Sequence, residues 1–427
     1  MLRVNNSKLL WQLTFEGAWP TAVAFLGGSR KLAAANQEGQ IYVWDLPEEP
    51  PAFEPDKKNA ERKAPNHWPA RRLDGHTNGV TRLIAAADGQ TLVSSSLDHS
   101  IRLWQPSGAA SGTADAILDG DERKSRAKRE RKDEILAAPG VTVETLASAH
   151  VLGGPASGKR ELPDKDPSRG EQNDREADAS RSPGGHEDWV LSLGMSSDGR
   201  RLISGDASAR VIVWDLTERR EIVRFSGHAW NWIVAAALSA DGQTALVSEY
   251  RYKRDDFDIP AAALRLFDAA SGNEKLDILK AMFPKLKPEE NSYGSAQVWR
   301  KFIAHGLVAA DFSPDGSLIA LAQGGETDTG KVQLVETATG KLVREVSGHQ
   351  YGATDVKFSA DGKLVLSTGR DTTLRICQVE DGKEVAALGT PRGGQFKDWL
   401  AALAVSPDES TVAAADIAGL VHVWKLA

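Results

Sequence analysis

A single cysteine, Cys377, stands among 427 residues, so an internal disulfide and any cysteine-built zinc or haem-attachment pattern are excluded at once. It takes the place of a tryptophan in its segment, which points to packing rather than a reactive thiol. No run of eighteen apolar residues is present to span a bilayer as a helix. Met1 to Asn6 has no apolar stretch of the secretory kind, and the default address is therefore cytoplasmic. Basic excess is missing too: 52 Lys and Arg face 59 Asp and Glu, a net charge of -7, which does not attract a polyanion in general. The one cationic run, Arg123 to Lys132, is hemmed in by Asp119, Asp121, Glu122, Glu130, Asp133 and Glu134. No aromatic residue interleaves it to stack on bases, so it reads as a salt-bridged helix or flexible arm.

Catalytic and cofactor signatures are equally sparse. Gly325 to Lys331 has the spacing of a phosphate loop, but Val332 stands where a hydroxyl should hold magnesium, and a strand follows where a helix should start. Asp255-Asp256-Phe257-Asp258 lacks the alternating oxygens and central glycine of a calcium loop. No nucleophile with a positioned base stands out. Neither a cofactor nor a metal is expected, and no enzyme activity.

What the chain does have is one sentence repeated seven times: a Gly-His or its remnant, an apolar run, an Asp-Gly turn, a second apolar run and a Trp-Asp-like ending. Gly75-His76 leads through Asp88-Gly89, Ser94 and Asp98 to Trp104; Gly185-His186 leads through Asp198-Gly199 to Trp214-Asp215; Gly348-His349 leads through Asp361-Gly362 and Asp371 to Cys377. Worn copies end at Trp44-Asp45, Phe267-Asp268, Val335-Glu336 and Trp424. Period-two alternation and frequent turn residues make these strands. Units of about 40 residues that cannot bury their faces alone must stack on one another.

These residues resemble the WD-repeat family, and Phe312-Ser313-Pro314-Asp315-Gly316 resembles its bacterial members. The resemblance implies an all-β fold, a seven-bladed β-propeller of four-stranded blades forming one domain over residues 1–427. The last unit stops at Trp424 to Ala427 without a fourth strand, and Leu9 to Phe15 has the alternation to supply it, so the termini are expected to share the last blade. The family further implies a structural hydrogen-bonded set in each complete blade: His76, Ser94 or Ser96, Asp98 and Trp104, with counterparts at His186 and Trp214 and at His349 and Asp371. His228 and His305 are read the same way. Such trios are architecture, since buried polar groups must be paired. The third unit carries Ser208 where the turn aspartate belongs, and the last two substitute Cys377 and Ala418 at diagnostic places.

Insertions interrupt the repeats. Residues 47–71 read as a solvated loop, and 105–184 as a charged, largely disordered insertion within which Val141 to Leu146 could return as the fourth strand of the second blade. Residues 273–295 carry Leu276, Ile278, Leu279, Met282 and Phe283 at helical spacing, which predicts a short amphipathic helix.

On the rim formed by the Gly-His loops, large side chains gather: Trp189, Trp230, Trp232, Tyr250, Arg251, Tyr252, Arg254, Arg370, Arg392, Phe396 and Trp399. Trp, Tyr and Arg dominate binding hot spots. Packing between blades suffices for each tryptophan alone; the ensemble reads as a binding surface. The sequence therefore predicts a monomeric protein–protein interaction scaffold that holds a partner peptide or domain on this aromatic and basic rim. Nucleic acid and membrane are not expected partners. The alternative is an enzyme or small-ligand binder using the central pocket of the propeller.

Overall fold

Serine, aspartate and glycine make the turns that shape each unit. Ser196 Oγ donates to Asp198 Oδ1 at 2.6 Å while accepting from the Arg201 amide at 3.0 Å, and the Ser196 hydroxyl, followed by the Arg200 amide, holds the Asp198 carboxyl below its usual range. Gly199 follows at φ 71°, a conformation that costs glycine nothing. The same serine–aspartate bond recurs at Ser239/Asp241, Ser313/Asp315, Ser359/Asp361 and Ser406/Asp408. Each such turn reverses the chain between the first two strands of an antiparallel meander.

The computed structural model describes residues 7–14, 19–51, 68, 70–106, 142–143, 150–152, 185–251, 262–287, 307–324, 330–391 and 399–426. They form seven sheets, the blades of a propeller. The innermost strands are, from blade 1 to blade 7, Pro20–Phe25, Val80–Ala85, Val190–Met195, Asn231–Leu238, Leu307–Phe312, Ala353–Phe358 and Leu400–Val405. Blade 7 is completed by Lys8–Thr14, antiparallel to Leu420–Lys425, with Leu9 opposite Trp424 and Leu13 opposite Val421. Trp11 and Leu13 on this strand are 1% and 0% exposed. The terminal clasp expected from the sequence is therefore present.

Neighbouring blades share apolar layers: Val93, Ile101 and Leu103 of blade 2 pack with Val190, Leu193 and Leu202 of blade 3. Hydroxyls on the inner strands stitch blade to blade. Thr21 Oγ1 donates to the Val80 carbonyl at 2.6 Å, Thr81 Oγ1 to Val190 at 2.6 Å, Ser192 Oγ to Ile233 at 3.0 Å and Thr354 Oγ1 to Leu400 at 2.5 Å.

Two expectations change. Thr142–Val143 does not complete blade 2; it pairs in parallel with Ala70–Leu73 as a fifth strand on blade 1, and His150–Leu152 takes the outer place in blade 2. The alternation in this stretch suits any open sheet edge and names none of them. Among the described residues of 273–295, Glu274–Asp277 is the outer strand of blade 4, and the helix, α1, spans Ile278–Met282. Asp277 caps α1 by accepting from the Lys280 amide, and Ile278 and Leu279 bury against Leu307 and Phe312 of blade 5. The helical spacing ran across a strand–helix junction.

Candidate functional site: the tryptophan rim

Polar side chains on the rim side are first of all structural. His76 Nδ1 lies 2.9 Å from Asp98 Oδ2 and its Nε2 lies 2.6 Å from Ser94 Oγ, which also accepts from Trp104 Nε1 at 2.8 Å. In blade 3, His186 meets Asp206 Oδ2 at 2.8 Å and Ser204 Oγ at 2.6 Å, with Trp214 Nε1 donating to Ser204 at 2.8 Å. His349 meets Asp371 at 2.9 Å and Ser367 at 2.8 Å in blade 6, where Cys377 supplies no indole. Ser94, Ser204 and Ser367 are at most 2% exposed. Each serine oxygen is buried against its imidazole, and in blades 2 and 3 against an indole as well, which leaves no open side for a substrate, so these are not hydrolase triads.

Burial depresses the pKa of His76, against the opposing effect of Asp98. Burial alone would raise Asp98, but the hydrogen bond and charge of His76 outweigh it and hold the carboxyl well below the usual range. Asp371 is held down in the same way by His349.

Blade 3 was read as lacking its aspartate because Ser208 occupies the turn. The structure supplies the acid from Asp206, at the end of the second strand, where Oδ1 also accepts from the Ser208 and Arg210 amides at 2.9 Å. Blade 4 holds Glu249 in the corresponding register, 0% exposed. Glu249 Oε2 accepts from the His228 amide at 2.7 Å and lies 2.9 Å from His228 Nδ1, while Oε1 accepts from Arg265 Nε at 3.1 Å. Burial would raise its pKa, yet the His228 bond and the Arg265 charge bring it down to about 2. In the sequence Glu249 looks like the start of an extended turn; its role as the acid of blade 4 shows only in its register opposite Ile233, which matches that of Asp206 opposite Val190.

The tryptophans share a more specific relationship. Pro20, Val190, Ile233 and Leu400 each pair with the second strand just before the bulge of their inner strand. The residue immediately before each is a tryptophan: Trp19, Trp189, Trp232 and Trp399. In blades 2 and 6 a glycine, Gly79 or Gly352, holds that place before Val80 and Ala353. Four blades thus raise an indole at one equivalent height around the axis.

Trp19 is 55% exposed and Trp189 41%, while Trp232 and Trp399 are half-buried. Trp189 and Trp232 meet edge to face with ring centres 6.0 Å apart. The Arg370 guanidinium lies 4.3 Å over the Trp399 ring. Trp230 adds a further indole, 62% exposed, on a backbone at φ 69°.

Of the other rim candidates, Tyr250 is half-buried, and Tyr252, Arg254, Arg392 and Phe396 lie outside the described residues. Arg251 must be removed from the rim. The second strand of blade 4 runs through Thr244–Arg251, and the Arg251 side chain is 0% exposed inside it. Trp19 was missed because Gly17-Ala18-Trp19 reads as a worn Gly-His.

A family model described as "WD domain, G-beta repeat" matches residues 68–105, 179–215 and 340–377. The ring of seven blades, six of four strands and one of five, decides the rest. The chain belongs to the WD-repeat β-propeller family. Among WD-repeat relatives, it is 26% identical over 239 residues to autophagy-related protein 16 of Arabidopsis thaliana, covering 56% of this chain and 39% of that one. Against WD repeat and SOCS box-containing protein 1 of Homo sapiens it is 29% identical over 141 residues, 33% of this chain and 30% of that one. Against striatin-4 of Mus musculus it is 24% identical over 372 residues, 86% of this chain and 44% of that one. The chain spans less than half the length of each of these curated relatives. In this WD-repeat propeller, no group of three or more His, Cys, Asp or Glu among the described residues is placed to hold a metal ion. No helix among them is long and apolar enough to cross a membrane.

Proposed function

We propose that this WD-repeat propeller is a non-catalytic interaction scaffold that seats a peptide or domain of a partner protein on its tryptophan rim. The observation that carries the reading is the equivalence of Trp19, Trp189, Trp232 and Trp399, joined by the exposed Trp230. Indoles bury large areas at low entropy cost and dominate hot spots. A bulky residue in the left-handed region costs about 1–2 kcal/mol, and holding Trp230 there while leaving it in solvent supports a role in contact with something else. Family membership supports a protein partner, and the net charge of -7 weighs against nucleic acid. The same reading has the protein acting as a monomer in the cytoplasm, away from membranes.

The test is affinity capture with the wild type beside a variant carrying Trp19→Ala, Trp189→Ala and Trp230→Ala, whose folding is checked by thermal unfolding. Each truncation should weaken a true partner by about 2 kcal/mol or more, so one specific protein should vanish from the captured set. Identical captured sets would reject the rim. Arg370, over Trp399, and Trp232 form the less exposed flank of the same surface. A second reading, binding of a small ligand in the central channel, is favoured by the cavity described next.

A further inference from the structure

The seven inner strands enclose a channel along the propeller axis, walled by small side chains such as Ala22, Ala235, Ala309 and Ala402 and by larger apolar ones such as Leu83 and Leu403. Among the described residues, charge enters it from three blades. Arg82 comes from blade 2, Asp311 from blade 5, and Asp355 and Lys357 from blade 6. Arg82 Nη2 donates to the Val308 carbonyl at 2.8 Å, a bond between the inner strands of blades 2 and 5 and so across the axis. Arg82 sits toward the tryptophan end of its strand. On the side of the Asp-Gly turns the channel has a waist of about 70 Å³ lined by Arg82, Asp355 and Lys357. It then widens to a mouth of about 630 Å³ between Gly27, Asp88, Gly89, Phe358 and Pro407.

The charges in this channel are unevenly satisfied. Asp355 is turned to the backbone, accepting from the Val356 and Leu403 amides at 2.9 Å. Asp311 accepts from the Phe358 amide at 2.9 Å and pairs with Lys357 Nζ at 3.5 Å. The Lys357 pKa is raised, first by Asp311, while the charge of Arg82 acts against it. Arg82 itself has one neutral acceptor, Val308, and among the described residues forms no ion pair with a carboxylate. A guanidinium offers five donors in a planar fork that fits a carboxylate.

We propose that the channel is a binding site for a small organic carboxylate, entered from the Asp-Gly turn face, with its carboxylate forked on Arg82 and a short apolar body against the alanine walls. The mouth is of the size that small ligands occupy. A waist of about 70 Å³ corresponds to roughly two waters' share of liquid volume, room for a carboxylate and little more. Its mouth opens on the face opposite the tryptophan rim, and none of the rim tryptophans lines it.

The experiment is calorimetric titration of the full chain with propionate, with uncharged propionamide as the matched control. Propionate should bind saturably and propionamide should not. Arg82→Gln should weaken propionate by about tenfold or more. Ala310→Leu narrows the waist with Arg82 in place and should weaken it similarly. Thermal unfolding without ligand reports whether each variant folds; should Arg82→Gln fail, the Ala310→Leu variant and the propionamide control decide. Equal binding of propionamide, no saturable heat with propionate, or undiminished binding by a folded Arg82→Gln variant overturns the proposal. Tighter binding of trialanine than of propionate would assign the channel to a protein chain end and overturn the small-molecule site as well.

Discussion

Blades 3 and 7 reach the same architecture with different materials. Blade 3 ties its loop, second strand and third strand together through His186, Ser204, Asp206 and Trp214. Blade 7 has Ala414 in the register of Ser204, and its Trp424 stacks on His422 with ring centres 5.5 Å apart. An acid ending the second strand is common to both. Asp206 Oδ1 accepts from the Arg210 amide at 2.9 Å, and Asp416 Oδ1 from the Leu420 amide at 2.9 Å. In blade 1, Asn36 Oδ1 does the same for Glu38 and Gln40 at 3.0 Å. Blades 2 and 6 move the oxygen into the turn, where Asp98 and Asp371 meet the amides of Ser100 and Thr373. Fastening the turn between second and third strands is thus the general task. The serine is an addition to it; blade 7 does without it, keeps a histidine on its acid from the third strand, His422 Nε2 lying 2.7 Å from Asp416 Oδ2, and adds apolar cover from Trp11 and Leu13.

The largest test of this contrast is Trp11→Ala. If blade 7 rests on apolar cover, urea unfolding should show a loss of about 3–5 kcal/mol; a loss under about 1 kcal/mol would mean that its polar contacts suffice. Next comes the acid of blade 4. The Glu249 pKa falls from an ordinary 4.5 to about 2 on folding, a difference worth about 3 kcal/mol. Because the folded value is the lower one, that stability is present above about pH 4.5 and drains away as the pH falls towards 2. Glu249→Gln should flatten this stretch of the stability-against-pH curve, and an unchanged slope would break the assignment. The smallest test separates two neighbours. Asp206→Ala should cost about 2 kcal/mol by stranding buried donors, whereas Ser208→Ala should cost under about 1 kcal/mol. Equal losses would return the aspartate's role to the turn.

Local chemistry was the legible part of the fold. Ser-x-Asp-Gly turns and period-two strands are written in consecutive residues, and the strand missing after Trp424 could be matched to Leu9–Phe15 because both lie at chain ends. Pairing at a distance was not legible. Thr142–Val143 could have met any open edge, and it met Ala70–Leu73. Asp206 and Glu249 emerge only when registers are laid side by side, since spacing from the histidine differs among blades. Gly-His pairs point to the histidines and leave their acids open. Arg251 was misplaced because nothing in its sequence tells that the second strand of blade 4 runs on through it. The rim's repeated tryptophan was hidden similarly: the matching height of Trp19 and Trp399 is a property of the bulges that follow them. Arg82 gave no signal at all, because its reach to Val308 needs the ring to be closed first.

The strand Lys8–Thr14 also sets a clock. Its partner, Leu420–Lys425, is made later, and Gln12 and His422 lie 410 positions apart along the chain. At ribosomal speeds of about 5–20 residues per second, roughly 20–80 s pass between the two. For that interval the strand is without the partner it takes in blade 7. Blade 7 therefore closes only after the strands of the other six blades have been made.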